Sequence, residues 1–186
     1  MVEIQNSELI DGVIVSHPDV HEDSRGLVLE MWRSEWVPDG HEIVQANRAD
    51  RIAGSVVGFH YHMHQADFWY VAAGRALVVL HDLRVGSPTE GATEALSLVG
   101  SGAANHRGVY VPRGVAHGFA ALSDVTITYL LDRTYDPDDE LGVAWDDPEI
   151  GADWGISDPV LSPRDRINPR RVEIEDRFRP VYPGVA

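Results

Sequence analysis

The stretch "GSVVGFHYHMHQADFWYVAAG", residues Gly54 to Gly74, places histidines at alternate positions, His60, His62 and His64, and follows them with Asp67. In an extended strand alternate side chains share a face. One face here therefore presents imidazoles, while Tyr61 and Met63 point the other way. Three readings are open: a metal-ligand set, a catalytic base among polar neighbours, or a solvated surface that carries histidines. Imidazole both ligates metals and exchanges protons near neutral pH, so residue type alone does not choose among them.

The chain around this stretch narrows the field. Its 186 residues are enough for one domain, 1–186, with a substantial core. A hydrophobic fraction of 44% is ordinary for a globular protein. No apolar run approaches the roughly 18 residues that a membrane helix requires. The opening "MVEIQNSELIDG" is acidic and lacks the basic and apolar parts of a secretion signal, so a cytoplasmic location is expected. The chain has no cysteine, which excludes disulfides and thiolate chemistry. A net charge of -15 argues against nucleic acid or an anionic membrane as partner. The basic residues are all arginine, which excludes lysine Schiff bases and lysine acid–base catalysis.

Short β-type runs recur between Gly, Pro, Asp and Asn: "GVIVSH", "GLVLEMW", "SVVGFHYH", "FWYVAAG", "RALVVLHDLR", "ALSLVG", "GVYVPRG" and "VTITYLL". Such spacing predicts a sandwich or barrel. The stretch from Asp132 to Asp158 reads as ordered loop with short strands. The arginine-rich "LSPRDRINPRRVEIEDRFRP" reads as a terminal segment held to the surface by ion pairs. The expected fold is all-β, a double-stranded β-helix of jelly-roll type with extended N- and C-terminal segments.

The spacing from Gly54 through His60, His62 and Asp67 to Gly74 resembles the first cupin signature, G-x5-H-x-H-x3,4-E-x6-G, with aspartate for glutamate. In that reading the histidines converge on an ion, a hairpin partner strand supplies the carboxylate, and glycine closes the turn. "VPRGVAH", with Pro112, Gly114 and His117, resembles the second signature, P-x-G-x2-H. Together they give four candidate ligands, His60, His62, Asp67 and His117. A divalent Fe, Mn, Ni, Zn or Co would suit them.

A wider resemblance runs from about residue 20 to 165. It is carried by "DSRGLVLE", "QAN", "GFHYH", "HDLRVGSPTEG", "VYVPRGVAHGFAALSD", "TYDPDDELGVAWDDPEIGADWG" and "LSPRD". These segments are similar to the dTDP-4-dehydrorhamnose 3,5-epimerase family, the RmlC-like cupins. The resemblance implies a sugar-nucleotide substrate, a 4-keto-6-deoxyhexose, that loses a proton at C3 or C5 and regains it from the other face. It implies His60 as base, Asp165 as its supporting carboxylate, His117 as a second active-site histidine and Tyr129 as proton donor. Tyr135 falls among the residues lining the sugar pocket. Arg25, Glu30, Gln45 and Asn47 fall at positions that hold the nucleotide and diphosphate, reaching into the neighbouring subunit of a homodimer. No cofactor is required for this chemistry.

Two positions depart from the family pattern. Val57 stands where an arginine is expected, and Asp67 where a lysine steadies the enolate oxygen. The substitutions that bring in His62 and Asp67 are also the ones that complete the metal set. Three functions follow: an epimerase using His60, Tyr129 and Asp165; a metal-dependent enzyme of altered chemistry; or a non-catalytic sugar-nucleotide-binding protein. A ligating His60 is not a free base, and His64 is then the substitute on the same strand face.

Overall fold

The computed structural model describes residues 1–38, 41–100, 102 and 106–184. Thirteen strands form two main antiparallel sheets and a hairpin, with no α-helix among the described residues. The first sheet has the order β1 (Glu3–Asn6), β2 (Ile14–His17), β10 (Gly108–Val111), β7 (Asp67–Ala73), β12 (Val125–Leu131) and β5 (Gln45–Arg51). The second has β13 (Leu141–Gly142), β6 (Val56–Tyr61), β11 (Val115–Ala121), β8 (Arg75–Asp82) and β9 (Thr93–Val99). The exposed hairpin pairs β3 (Val20–Asp23) with β4 (Gly26–Leu29). This is the expected jelly-roll cupin architecture.

Three apolar layers explain the strand sequences. Between the sheets lie Trp69 and Val71 of β7, Val78 and Leu80 of β8, Phe119 of β11 and Ile127 of β12. Behind the second sheet, Phe59, Tyr61 and Val79 meet Val143, Ile150, Trp154 and Ile174. Behind the first, Phe68, Tyr70 and Tyr110 meet Trp36 and Val37. Strands covered on both faces need no polar alternation, which is why "RALVVLHD" reads as a nearly continuous apolar run. The C-terminal segment is held by apolar contacts, with Leu161, Ile174 and Phe178 packed into the outer layer, as well as by ion pairs of Arg164 and Arg171.

One expectation fails. β6 and β7 are not hairpin partners: β6 pairs with β11 and β13, whereas β7 pairs with β10 and β12 in the facing sheet. The residues between them carry the chain across the interior, so Asp67 faces the histidines from the opposite wall. Gly74 marks the return crossing rather than a hairpin turn. Its φ is +81°, and a Cβ there would lie 2.0 Å from the Asp124 carbonyl oxygen, so only glycine fits.

Candidate active site

The register of β6 against β11 builds one wall of the site. His60 lies opposite His117, but the next recorded pair is Val57 with Phe119, so β6 accommodates an extra residue at a bulge. Bulges re-aim side chains beside functional sites. Gly58 makes this one possible: a Cβ there would come within 2.7 Å of the His117 carbonyl oxygen. Phe59 and Tyr61 point into the outer apolar layer, which leaves His60 and His62 facing inward. On the facing wall, Tyr129 of β12 lies between Trp69 of β7 and Asn47 of β5.

Between these walls is a cavity of about 250 Å³ lined by His60, His62, Asp67, His117, Tyr129 and Tyr135, among others. Its floor is buried, at His62, Gln65, Asp67, Trp69 and His117; its mouth is exposed, at Asn47, Arg51 and Tyr135. Val57 lines the cavity as well.

His60 sits between two carboxylates. Nε2 is 2.8 Å from Asp165 Oδ1, and Nδ1 is 3.4 Å from Glu140 Oε1. Asp165 also accepts from the Ser162 hydroxyl at 2.8 Å, and its own N–H donates back to that oxygen. Burial works to raise the Asp165 carboxyl, but the hydrogen bond and charge of His60, with Ser162 and Arg164, hold it below the usual carboxylate value. With Nε2–H donated to Asp165, the imidazole lone pair is on Nδ1, on the side away from that carboxylate. Burial likewise opposes ionisation of Glu140, and His62, Arg164 and His60 outweigh it to keep this carboxyl low. Burial pushes the Tyr129 phenol up, so it remains protonated through the neutral range.

His62 and His117 are oriented by backbone. Nδ1 of His62 lies 2.9 Å from the Asp139 carbonyl oxygen, and Nδ1 of His117 lies 2.9 Å from that of Val115. Both Nδ1–H groups donate there, so Nε2 is the ring nitrogen that each histidine has left for other contacts. Asp67 accepts from Gln65 Nε2 at 2.7 Å and from the Trp69 indole at 3.0 Å. Ligand atoms of His62, Asp67 and His117 all lie within 4.8 Å of one another, and this buried group does not include His60. His60, the fourth residue of the expected set, lies outside this group, with Nε2 on Asp165.

The remaining sequence-predicted residues divide. Gln45 braces the mouth, donating to Asn47 and accepting from the Tyr135 N–H. Arg25 is paired with Asp23 on the exposed hairpin, away from the cavity lining. Glu30 is paired with Arg33 and lines a different groove, with His21 and Trp36. His64 is exposed and lines a neighbouring groove with Arg133 and Asp136, not the cavity. Sequence reasoning missed Glu140, Arg164 and Arg51. Glu140 lies in the acidic run "DPDDE", where nothing local separates it from its neighbours. Arg164 adjoins Asp165 and pairs with Glu140 at 2.9 Å.

Comparison with known proteins agrees with this geometry. Residues 7–172 match the family model described as dTDP-4-dehydrorhamnose 3,5-epimerase. The chain belongs to that family. It is 38% identical over 165 residues to the dTDP-4-dehydrorhamnose 3-epimerase of Streptomyces niveus, covering 84% of this chain and 78% of that one. The crystal structure of NovW, a 4-keto-6-deoxy sugar epimerase of Streptomyces spheroides, superposes with a TM-score of 0.90 at 34% identity, over 98% of this chain and 94% of that one. The Legionella pneumophila RmlC complexed with dTDP-4-keto-L-rhamnose also gives 0.90, at 30% identity, over 98% and 99%. Epimerases of this family work without a cofactor. No helix among the described residues is long and apolar enough to cross a membrane.

Proposed function

We propose that this epimerase acts on a dTDP-linked 4-keto-6-deoxyhexose, with His60 as base and Tyr129 as acid. The observation that carries the reading is the half-buried His60–Asp165 pair on one wall of a cavity whose other wall presents Tyr129. A proton α to a ketone is acidic because the carbanion delocalises onto oxygen as an enolate. His60 Nδ1 takes that proton, and Asp165, accepting from Nε2–H, fixes the tautomer and stabilises the imidazolium. Glu140 beside Nδ1 adds to that stabilisation. Tyr129 then returns a proton from the opposite face. Its pKa, raised by burial, keeps it protonated until the carbanion takes the proton.

The dTDP group lies towards the exposed mouth, at Asn47, Gln45, Tyr135 and Arg51. Arg25 and Glu30 belong to the nucleotide site only if a second subunit brings its hairpin there, which is the reason to read the working unit as a homodimer of one-domain chains. Val57 and Asp67 replace the family's arginine and lysine in this reading. Positive charge beside the enolate is then left to Arg51 or to a divalent ion on His62, Asp67 and His117. Such an ion, when bound, would act as a Lewis acid on the ketone.

The test is solvent exchange. The protein is incubated with dTDP-4-keto-6-deoxyglucose in D₂O, and deuterium at C3 and C5 is followed by NMR. Label at either carbon, abolished in His60→Asn, supports the reading and reports which carbon is activated. Bound substrate without exchange at either carbon overturns it.

A further inference from the structure

Asp67 is 5% exposed, yet among the described residues no cationic side chain pairs with it directly. Its hydrogen-bond donors are the neutral Gln65 amide and Trp69 indole. The nearest titratable atom is His117 Nε2, 3.8 Å from Oδ2. That nitrogen is the one left for such a contact, because Nδ1–H is committed to the Val115 carbonyl. A ring nitrogen and a carboxylate oxygen therefore face each other beyond hydrogen-bond distance. His62 repeats the arrangement: its Nδ1–H is committed to Asp139, and its ring lies 5.3 Å from that of His117. Three donor atoms, two nitrogens and one carboxylate oxygen, thus lie within 4.8 Å of one another.

We propose that His62, Asp67 and His117 bind a divalent first-row transition-metal ion on the cavity floor. The donor chemistry selects the class: imidazole suits Fe, Co, Ni, Cu and Zn, whereas Mg and Ca favour all-oxygen sites. Such ions sit about 2.0–2.2 Å from nitrogen and oxygen ligands, so atoms mutually within 4.8 Å reach one ion by side-chain rotation. The outer contacts are those that metal-ligating residues need. Each histidine has its second ring nitrogen on a carbonyl, and the carboxylate is held by two donors. With three protein ligands the ion keeps open positions towards the cavity. His60 and Asp165 are left free for proton transfer, which removes the conflict between ligating and basic roles for His60. The ion's role beside a substrate ketone rests on the epimerase reading; its binding does not.

The test is a cobalt titration of untagged, chelator-treated protein, followed by calorimetry and visible absorption, with no substrate present. One equivalent of Co²⁺ should bind and develop a ligand-field band. Affinity should fall by more than about tenfold in His62→Gln and Asp67→Asn and persist in His60→Asn. Asp67→Lys, which fills the site with an ammonium, should remain folded by thermal melting and bind no cobalt. Absence of wild-type binding, unchanged binding in the His62 and Asp67 variants, or equal loss in His60→Asn would overturn the three-residue site. Because the deuterium-exchange assay is separate, failure of one reading leaves the other standing.

Discussion

Two buried aspartates, Asp82 and Asp67, sit in the same jelly roll and are treated in opposite ways. Asp82, at the end of β8, is fully enclosed, and five donors converge on it. The Arg84 guanidinium binds both oxygens at 2.8 Å, and the Arg84 N–H and the Ser87 and Thr89 hydroxyls complete the set. Burial opposes its ionisation, but Arg84 and the hydroxyls hold its carboxyl below the ordinary value. Asp67 has two neutral donors and no partner charge. A buried carboxylate saturated by its own chain is part of the scaffold. One left short of positive charge is waiting for something that the chain does not supply.

That contrast can be broken by experiment. The largest effect is expected at Arg84→Ala, which leaves Asp82 charged and uncompensated. Removing one partner of a buried pair costs about 3–5 kcal/mol, to be read from urea unfolding. If Arg84→Ala unfolds no more easily than wild type, the distinction between the two aspartates is empty. His60→Asn, whose amide can still donate to Asp165, should cost less stability than Arg84→Ala while lowering turnover by about 10²–10⁴-fold, the range for a lost general base. A parallel loss of stability would move His60 into the scaffold class.

A pH titration of stability gives the next effect. Burial, helped by Arg171, pushes the His81 imidazole down to about 4, against about 6.5 in an unfolded chain. Between those values the unfolded state takes up a proton that the native state refuses. His81 therefore leaves stability undiminished above pH 6.5 and erodes it progressively as pH falls towards 4. Melting temperature should drop across this window, and His81→Gln should flatten the drop. The smallest effect is expected at Asp67→Asn in metal-free protein. Gln65 can turn its amide to meet the new N–H₂, so the unfolding free energy should change by less than about 1 kcal/mol. A loss as large as that of Arg84→Ala would show that Asp67 is structural after all.

How much was legible in the sequence follows from the kind of signal each part carries. β8 and β12 announce themselves through β-branched and leucine-rich runs, whereas β11, "VAHGFAA", and β5, "QANRADR", do not. β11 is small and fully buried between β6 and β8, so packing rather than propensity makes it a strand. β5 is a polar edge strand defined by its pairing with β12. At the site, His60, His117 and Asp165 sit in recognisable motifs, and the fold places them together. Spacing alone does not separate His60 from His62, which share a face; the contacts of Asp165 and Glu140, remote in sequence from His60, do. Arg25 and Glu30 match a motif whose hairpin lies outside the cavity of a single chain.

Trp69 gives the cavity an optical channel of its own. Its indole N–H is bound to Asp67, its ring stands edge-on to His117 with centroids 5.0 Å apart, and Tyr129 lies 5.1 Å away. Trp154, by contrast, donates to the Trp145 carbonyl in the outer apolar layer. The excited indole dipole responds to nearby charge, so emission from Trp69 records what arrives on the cavity floor. Label-free fluorescence, read as the part of the response lost in Trp69→Phe because four other tryptophans also emit, can thus follow the arrival of an ion or a sugar in real time.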